Sequence, residues 1–206
     1  LEVAGYYDLF LIAPNGHCFY SVAREADYDT NLLTGQFRDS GLGRATRQVL
    51  NGDGFAFSDF APYAPSNGEQ AAFGSMPDTR HGKTELVVAQ QMPRDENNRV
   101  RTLIVGMGES GELYLIGQDE RGGISLRSDE PGMGDEYTVG HSYNVDYAKE
   151  ALQGSESEGH GVYKGIAGKQ VFASYSRVDA FGEPWDVMVK IDEDEAIAAK
   201  AAMHDV

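Results

Sequence analysis

The sequence predicts an α+β protein that uses one module twice, each copy an antiparallel sheet of about five strands with flanking helices. Three observations carry the prediction. "DLFLI" (Asp8–Ile12) is echoed in the second half by "ELYLI" (112–116), each an acid followed by bulky apolar residues. Each is followed by a polar, glycine-containing turn, "APNG" and then "GQDERGG". The same order then recurs in both halves: two strands, helical or looping material, three strands. A chain of 206 residues suits two domains of about 100 each, and internal repetition is the first thing to test in any sequence.

In the first half, "YYDLFLI" and "HCFYSVA" flank "APNG" as a hairpin. After the loop "READYDTNLLTGQFRD", Asp39 or Ser40 can cap a helix whose Leu42, Ala45, Val49 and Leu50 share one face, with Asn51-Gly52 as its stop. "FAFSDFAPY", "QAAFGSMP" and "TELVVAQQM" are three strands, divided by "APSNGE" and "DTRHGK". In the second half "ELYLIGQ" and "GISLRS" open the module. "NVDYAKEALQG" is a short helix with Asp146 as cap and Gly154 as stop, and "HGVYKGIAG", "QVFASYSRV" and "PWDVMVKI" complete the sheet. Gly82 of "HGKTELVVAQQ" and Gly182 of "FGEPWDVMVKI" hold matching places in the two copies. "RDENNRVRTLIVG" joins the halves as a helix that starts at its acids and ends at Gly106. The last helix is read from "DEDEAIAAKAAMH", where Asp192 and Glu195 have capping-box spacing.

Composition excludes several functions. With 41% hydrophobic and 24% charged residues the chain is globular. Its formal net charge of −16, from 33 acids and 17 bases, offers no basic cluster for phosphates and is repelled by an anionic membrane surface. The acidity reads as solubility, with cation binding as the alternative. Cys18, the one cysteine, lies in the apolar run "HCFY" and reads as a buried small hydrophobe. The N-terminus lacks a signal-peptide pattern, and an opening in strand-like sequence with a close in a helix reads as a segment of something longer.

"GMGESG" spells a dinucleotide-binding glycine pattern, but a helix precedes it and a strand follows, the reverse of what a pyrophosphate site needs. It reads as a linker turn. His17, His81, His141, His160 and His204 have no metal-ligand spacing and read as exposed loop residues. No nucleophile elbow is present. Only Asp59 and Asp186 are acids inside apolar strands, so no catalytic constellation, metal or cofactor is nominated.

The wording of "DLFLIAPNGHCFYSVAREADYDTNLLTGQFRDSGL", "SDFAPYAPSNGEQAAFGSMP", "ELVVAQQMP", "GMGESGELYLIG" and "LRSD" resembles the extracytoplasmic double-Cache sensor domain of bacterial methyl-accepting chemotaxis receptors and related membrane histidine kinases, from about Gly5 to about Ala199. The family's long N-terminal helix does not occur in this sequence, and "GQDERGGISLRSDEPG" varies around the family's usual wording. The resemblance implies two tandem PAS-like modules. Residues 1–100 would be membrane-distal and hold the ligand, and 101–206 would be membrane-proximal with the exit helix. It implies a periplasmic or extracellular domain of an inner-membrane receptor, homodimeric at full length, that binds a small molecule of the organic-acid, amino-acid or amine class.

By the same resemblance Tyr63 and Gln91 stand where amino-acid-binding members hold the ammonium group with a tyrosine and an aspartate. Glutamine in place of that aspartate weakens the ammonium site. The family's carboxylate-gripping Arg-and-aromatic motif is missing as written; "GQFRDSGL" lies in roughly its place, where Arg38 and Ser40 could reach an acidic group, with Phe37 beside them. The reading therefore leans to an organic acid or neutral polar metabolite. Strand alternation puts 55, 57 and 59 on one face of "FAFSDFAPY" and 56, 58 and 60 on the other. Asp59 then reads as a ligand contact or as a partner of turn amides, Phe73 as core or pocket, and Tyr63 as pocket wall or core. Tyr114, Arg127 and Tyr175 could line a second cavity, with core packing as the favoured alternative. Two other functions stay open: a non-signalling binding or interaction domain, and an enzyme of unrecognised type.

Overall fold

Burial alternates along the first strand, with Asp8, Phe10 and Ile12 inside and Leu9 and Leu11 half-buried, as a strand with one packed face requires. The computed structural model describes residues 6–103, 106–130, 133–134 and 136–204, and the chain divides into two compact units, Leu1–Glu96 and Asn97–Val206.

In the first unit the strands are β1 (Asp8–Ile12), β2 (Cys18–Ser21), β3 (Ala56–Tyr63), β4 (Glu69–Arg80) and β5 (Lys83–Met92), with helix α1 (Gly41–Leu50) between β2 and β3. All pairs are antiparallel, and the sheet order is β2-β1-β5-β4-β3. The second unit has β6 (Glu112–Gln118), β7 (Ile124–Leu126), β8 (Glu158–Lys164), β9 (Gln170–Ala180) and β10 (Glu183–Asp192), ordered β7-β6-β10-β9-β8. Its helix α3 (Asp146–Gln153) holds the place of α1. The duplication read from the sequence is thus a duplication of topology.

The matching glycines have a common cause. β4 and β5 turn at His81-Gly82 (φ 51° and 75°), and β9 and β10 turn at Phe181-Gly182 (φ 59° and 95°). Two positive φ values in a two-residue hairpin make the turn whose twist suits the flanking strands. A Cβ at Gly82 or Gly182 would meet nothing within 4 Å, so the requirement is conformational and not steric.

α1 starts where Ser40, in extended backbone, accepts the Gly43 amide at 3.2 Å on its hydroxyl. Its buried face, Leu42, Ala45 and Val49, packs in one core with Phe10, Ile12, Leu32, Phe73 and Val87. Each such large side chain contributes about 1.5–3 kcal/mol by leaving water. The second core is richer in hydroxyls, with Tyr114, Tyr143 and Tyr147 beside Ile116, Leu126 and Met188.

Four local expectations change. The N-cap of α3 is Val145, and Asp146 is its first residue, ion-paired to Lys149 at 3.5 Å. The joining helix is a single turn, α2 (Arg94–Asn97), followed by a 3-10 segment, Asn98–Leu103; its expected continuation through 104–105 lies outside the described residues. In α4 (Glu193–His204) Glu195 does not close a capping box with Asp192. It reaches instead to the turn before β6, accepting the amides of Glu109 at 2.7 Å and Ser110 at 2.8 Å and the Ser110 hydroxyl. These bonds hold its carboxyl below the ordinary glutamate value. Finally, His160 lies within β8 and His204 within α4, not in loops.

Removing the α1 cap by Ser40→Ala should cost about 1 kcal/mol. Hydrogen exchange of the α1 amides, followed by mass spectrometry, should then accelerate by about fivefold if they open locally.

Candidate functional site

A buried carboxylate sets the course of the loop between β2 and α1. Asp8 is fully buried at the head of β1, and its Oδ1 accepts the amides of Val22 at 2.8 Å and Ala23 at 3.1 Å, while Oδ2 accepts the Ser21 hydroxyl at 2.7 Å. A buried charge needs such partners. They turn the chain at Arg24, a residue with φ 52°, and deliver Glu25 to the edge of a cavity.

The Glu25 carboxylate is held on both sides. Its Oε1 accepts the Tyr7 hydroxyl at 2.9 Å and its Oε2 the Ser66 hydroxyl at 2.6 Å. Donation to Glu25 is also what raises the Tyr7 phenol above its ordinary pKa. Ser66 ends the 3-10 turn Ala64–Ser66, which Asn67 (φ 55°) and Gly68 (φ 79°) reverse into β4. From the centre of the sheet Gln91 presents its Nε2 to the Ser66 oxygen at 3.4 Å, and its buried Oε1 has no hydrogen-bond partner among the described residues. The two groups are ordered by proton count. Ser66 has one hydroxyl proton and gives it to Glu25, so only the NH2 end of Gln91 can face it. Glu69 and Arg94, ion-paired at 3.1 Å, close another side of the cavity, which encloses about 370 Å³.

Two residues beyond Glu25, Asp27 is fully buried and accepts the Tyr63 hydroxyl at 2.5 Å; its Oδ1 has no partner among the described residues. Burial pushes its carboxyl above the ordinary aspartate range, the Tyr63 bond acts in the opposite sense, and the charges of Asp8 and Glu25 add to the rise. Burial likewise raises the Tyr63 phenol, and lifts the Cys18 thiol to about 12.

The sequence-nominated residues separate into four places. Gln91 lines the cavity. Tyr63 and Phe73 are buried and meet edge to face at 4.7 Å, with Asp27 above the phenol. Arg38, Ser40 and Phe37 lie at the start of α1: Arg38 is exposed and pairs with Asp39 at 3.2 Å, Ser40 is the helix cap, and Phe37 packs on the core. Asp59 is half-buried at a bulge that breaks the pairing of β3 with β4 between Ser58 and Ala61, and it accepts the Phe60 amide at 2.7 Å. The bulge is why simple alternation fails along β3. Sequence reading missed Tyr7, Glu25, Ser66, Glu69, Arg94 and Asp27. The available signal was an acid-rich loop with no periodicity.

In the second unit Arg127 is fully buried and donates to Ser125 Oγ at 2.7 Å and the Gln118 carbonyl at 2.8 Å, while Tyr175 donates to Glu150 at 3.1 Å; both are packing residues. Tyr114, also fully buried, joins the Tyr143 hydroxyl at 2.8 Å. Asp186 is fully buried 3.5 Å from Arg177, and burial raises its carboxyl although the guanidinium opposes this. A smaller cavity of about 180 Å³ lies beside Lys190, which pairs with Glu112 at 3.0 Å and with Glu130. Burial alone would lower the Lys190 pKa, but Glu130 and then Glu112 outweigh it and hold the ammonium above its ordinary value. No group of acids, histidines and cysteine that could hold a metal occurs among the described residues.

No family model and no curated protein matches the chain. Solved structures do. The extracellular domain of rpHK1S-Z16, described as a histidine kinase, superposes with a TM-score of 0.64 at 16% identity over 95% of this chain and 74% of that one. The ligand-binding domain of the Pseudomonas aeruginosa PAO1 amino-acid chemoreceptor PctC, in complex with GABA, gives 0.61 at 18% identity over 92% and 75%. That of the Pseudomonas fluorescens chemoreceptor CtaA, in complex with L-isoleucine, gives 0.60 at 13% identity over 96% and 73%. At these identities the likeness defines the fold: two tandem PAS-like modules of the Cache type.

Two outcomes check the buried charges. Because the folded state binds the Asp27 proton more tightly than the unfolded chain, the stability this contributes is present below the ordinary aspartate pKa and is lost as pH rises through the raised one. The urea-unfolding free energy of the wild type, relative to Asp27→Asn, should therefore fall as pH rises above the ordinary aspartate range near about pH 4; a level difference would contradict the upward shift. Lys190→Met leaves the buried Glu130 carboxylate facing half-buried Glu112 without a cation and should destabilise the second unit by about 3–5 kcal/mol, read as a lower transition for Trp185 fluorescence.

Proposed function

We propose that the chain is the extracytoplasmic ligand-sensing domain of a transmembrane signalling receptor, a chemoreceptor by preference and a sensor histidine kinase next. The observation that carries this is the first-unit cavity, which combines a drug-fragment-sized volume with a buried, unpartnered acceptor on Gln91. A buried polar group without a partner costs free energy, and a bound small molecule that supplies a donor recovers it. The solved structures of like fold include domains in complex with GABA and L-isoleucine, which supports the same reading.

On this proposal the first unit is the membrane-distal, ligand-binding module and the second the membrane-proximal one. The chain itself performs no catalysis; any catalytic activity belongs to a cytoplasmic part of the receptor. The domain faces the periplasm or the exterior, and the intact receptor is a homodimer in the inner membrane. Among the described residues no helix is long and apolar enough to cross a membrane. Gln91 is the ligand contact with most support, Tyr63 and Phe73 back the site from the core, and Arg38, Ser40, Phe37 and Asp59 fall to secondary candidates.

A thermal-shift screen against organic acids, amino acids and amines tests the proposal. A ligand at 100 times its Kd should stabilise by about 2.7 kcal/mol, a rise of several degrees in Tm. The shift should disappear in Gln91→Ala. An absence of any shift across all classes, in folded protein, would favour the alternative of a domain that recognises another protein.

A further inference from the structure

We infer that the first-unit cavity selects a small organic cation, a primary amine without a carboxylate, held between the Glu25 carboxylate and the free Gln91 carbonyl oxygen; this rests on the ligand-sensing proposal and names its ligand class.

The inference follows from counting donors and acceptors on the wall. The Tyr7 and Ser66 hydroxyl protons are both given to Glu25, and the Gln91 amide points its nitrogen at Ser66. The two hydroxyl donors are spent, and Gln91 spends one of its two N–H donors on Ser66. Apart from Arg94 and the second Gln91 N–H, what the wall leaves open is acceptor: the further lone pairs of Glu25 and the unpartnered Oε1 of Gln91. A carboxylate has about four lone-pair sites, and two hydroxyls occupy two of them. The amides of exposed Asn67 and half-buried Gln70 can turn either end inward and do not decide the sign.

Charge points the same way. Two carboxylates, Glu25 and Glu69, face one guanidinium, Arg94, and that guanidinium is paired with Glu69. Glu25 is held by hydroxyls, not by a cation, so its charge is not balanced across the cavity. An ammonium brings three donors and a positive charge to a wall that offers acceptors and negative charge. A ligand carboxylate brings acceptors to acceptors and would have to take Arg94 from Glu69. A cavity of about 370 Å³ admits a chain of several carbons with one or two amino groups.

The test is a matched set of probes titrated calorimetrically into the 206-residue chain at low salt. Butylamine, 1,4-diaminobutane, 4-aminobutanoate and butanoate share one carbon skeleton and differ in charge. The amine and diamine should bind, 4-aminobutanoate should be weaker by roughly tenfold or more, and butanoate should give no heat. Glu25→Gln should weaken butylamine by roughly tenfold. Glu25→Gln with Glu69→Gln leaves Arg94 as the charged group on the wall and should reverse the preference toward butanoate, with an unchanged circular-dichroism spectrum as evidence of folding. Tighter binding of 4-aminobutanoate or butanoate to the wild type, lost in Gln91→Ala, would overturn the cation assignment and leave the sensing proposal standing. No heat from any probe would also overturn it, whereas the sensing proposal falls only if the broad metabolite screen is empty as well.

Discussion

The site depends on β5 pairing in the middle of its sheet, between β1 and β4. The register sets Gln91 opposite Asp8 on one side and Phe73 on the other. That single row brings together groups from the start, middle and end of the unit. Asp8 fixes the loop carrying Glu25, Gln91 faces the 3-10 turn carrying Ser66, and Phe73 supports Tyr63 at the end of β3. A slip of one residue in β5 would turn Gln91 to the other face of the sheet and move Val87 and Ala89 out of the core. The apolar register and the polar site are therefore fixed by the same pairing.

The duplication shows how one slot can serve two purposes. In the second unit Glu112 opens β6 as Asp8 opens β1, and its cross-strand partner on the central strand β10 is Lys190, where the first unit has Gln91. Asp8 is satisfied by a turn it organises itself. Glu112 is satisfied by Lys190, which also carries Glu130. The lysine balances its two carboxylates by charge, whereas the glutamine brings no charge to Asp8 and keeps an unpartnered oxygen. The same position thus carries an ion-pair cluster in one unit and a neutral amide with an unpartnered oxygen in the other.

Much of the fold was legible because it rests on local, periodic signals. The strands show in their apolar runs, the two hairpins in His81-Gly82 and Phe181-Gly182, and α1 in its face of Leu42, Ala45 and Val49 with Ser40 and Asn51 at its ends. Gln91, which lines the cavity, was nominated through family resemblance. Glu25 was not: its partners Tyr7 and Ser66 lie far from it in sequence, and nothing in "READYD" marks which acid turns inward. Asp59 drew attention as the acid inside an apolar strand, yet the bulge after Ser58 takes it out of the alternating pattern. A fully buried acid comes instead from the loop: Asp27, which accepts the Tyr63 hydroxyl at the end of β3. Periodicity locates elements; it says little about side chains that a loop delivers by tertiary contact.

The "GMGESG" turn completes the argument about local signals. Its glycines do not hold a phosphate, but the backbone amides at its end do bind an anion, the Glu195 carboxylate of α4. Gly108 has φ 76°, a backbone conformation that favours glycine, and a Cβ there would also press on the Glu195 carboxylate. The Ser110 hydroxyl donates to Glu195 and accepts the Asp192 amide at the end of β10. β6 and β10 are hydrogen-bonded neighbours, so the turn that enters β6, the end of β10 and the first turn of α4 share one polar joint. A shift between these two strands cannot leave the helix behind without breaking a charge-assisted bond. Anion binding by consecutive amides, which the glycine pattern advertises, is therefore real in this chain and is used by the protein on itself.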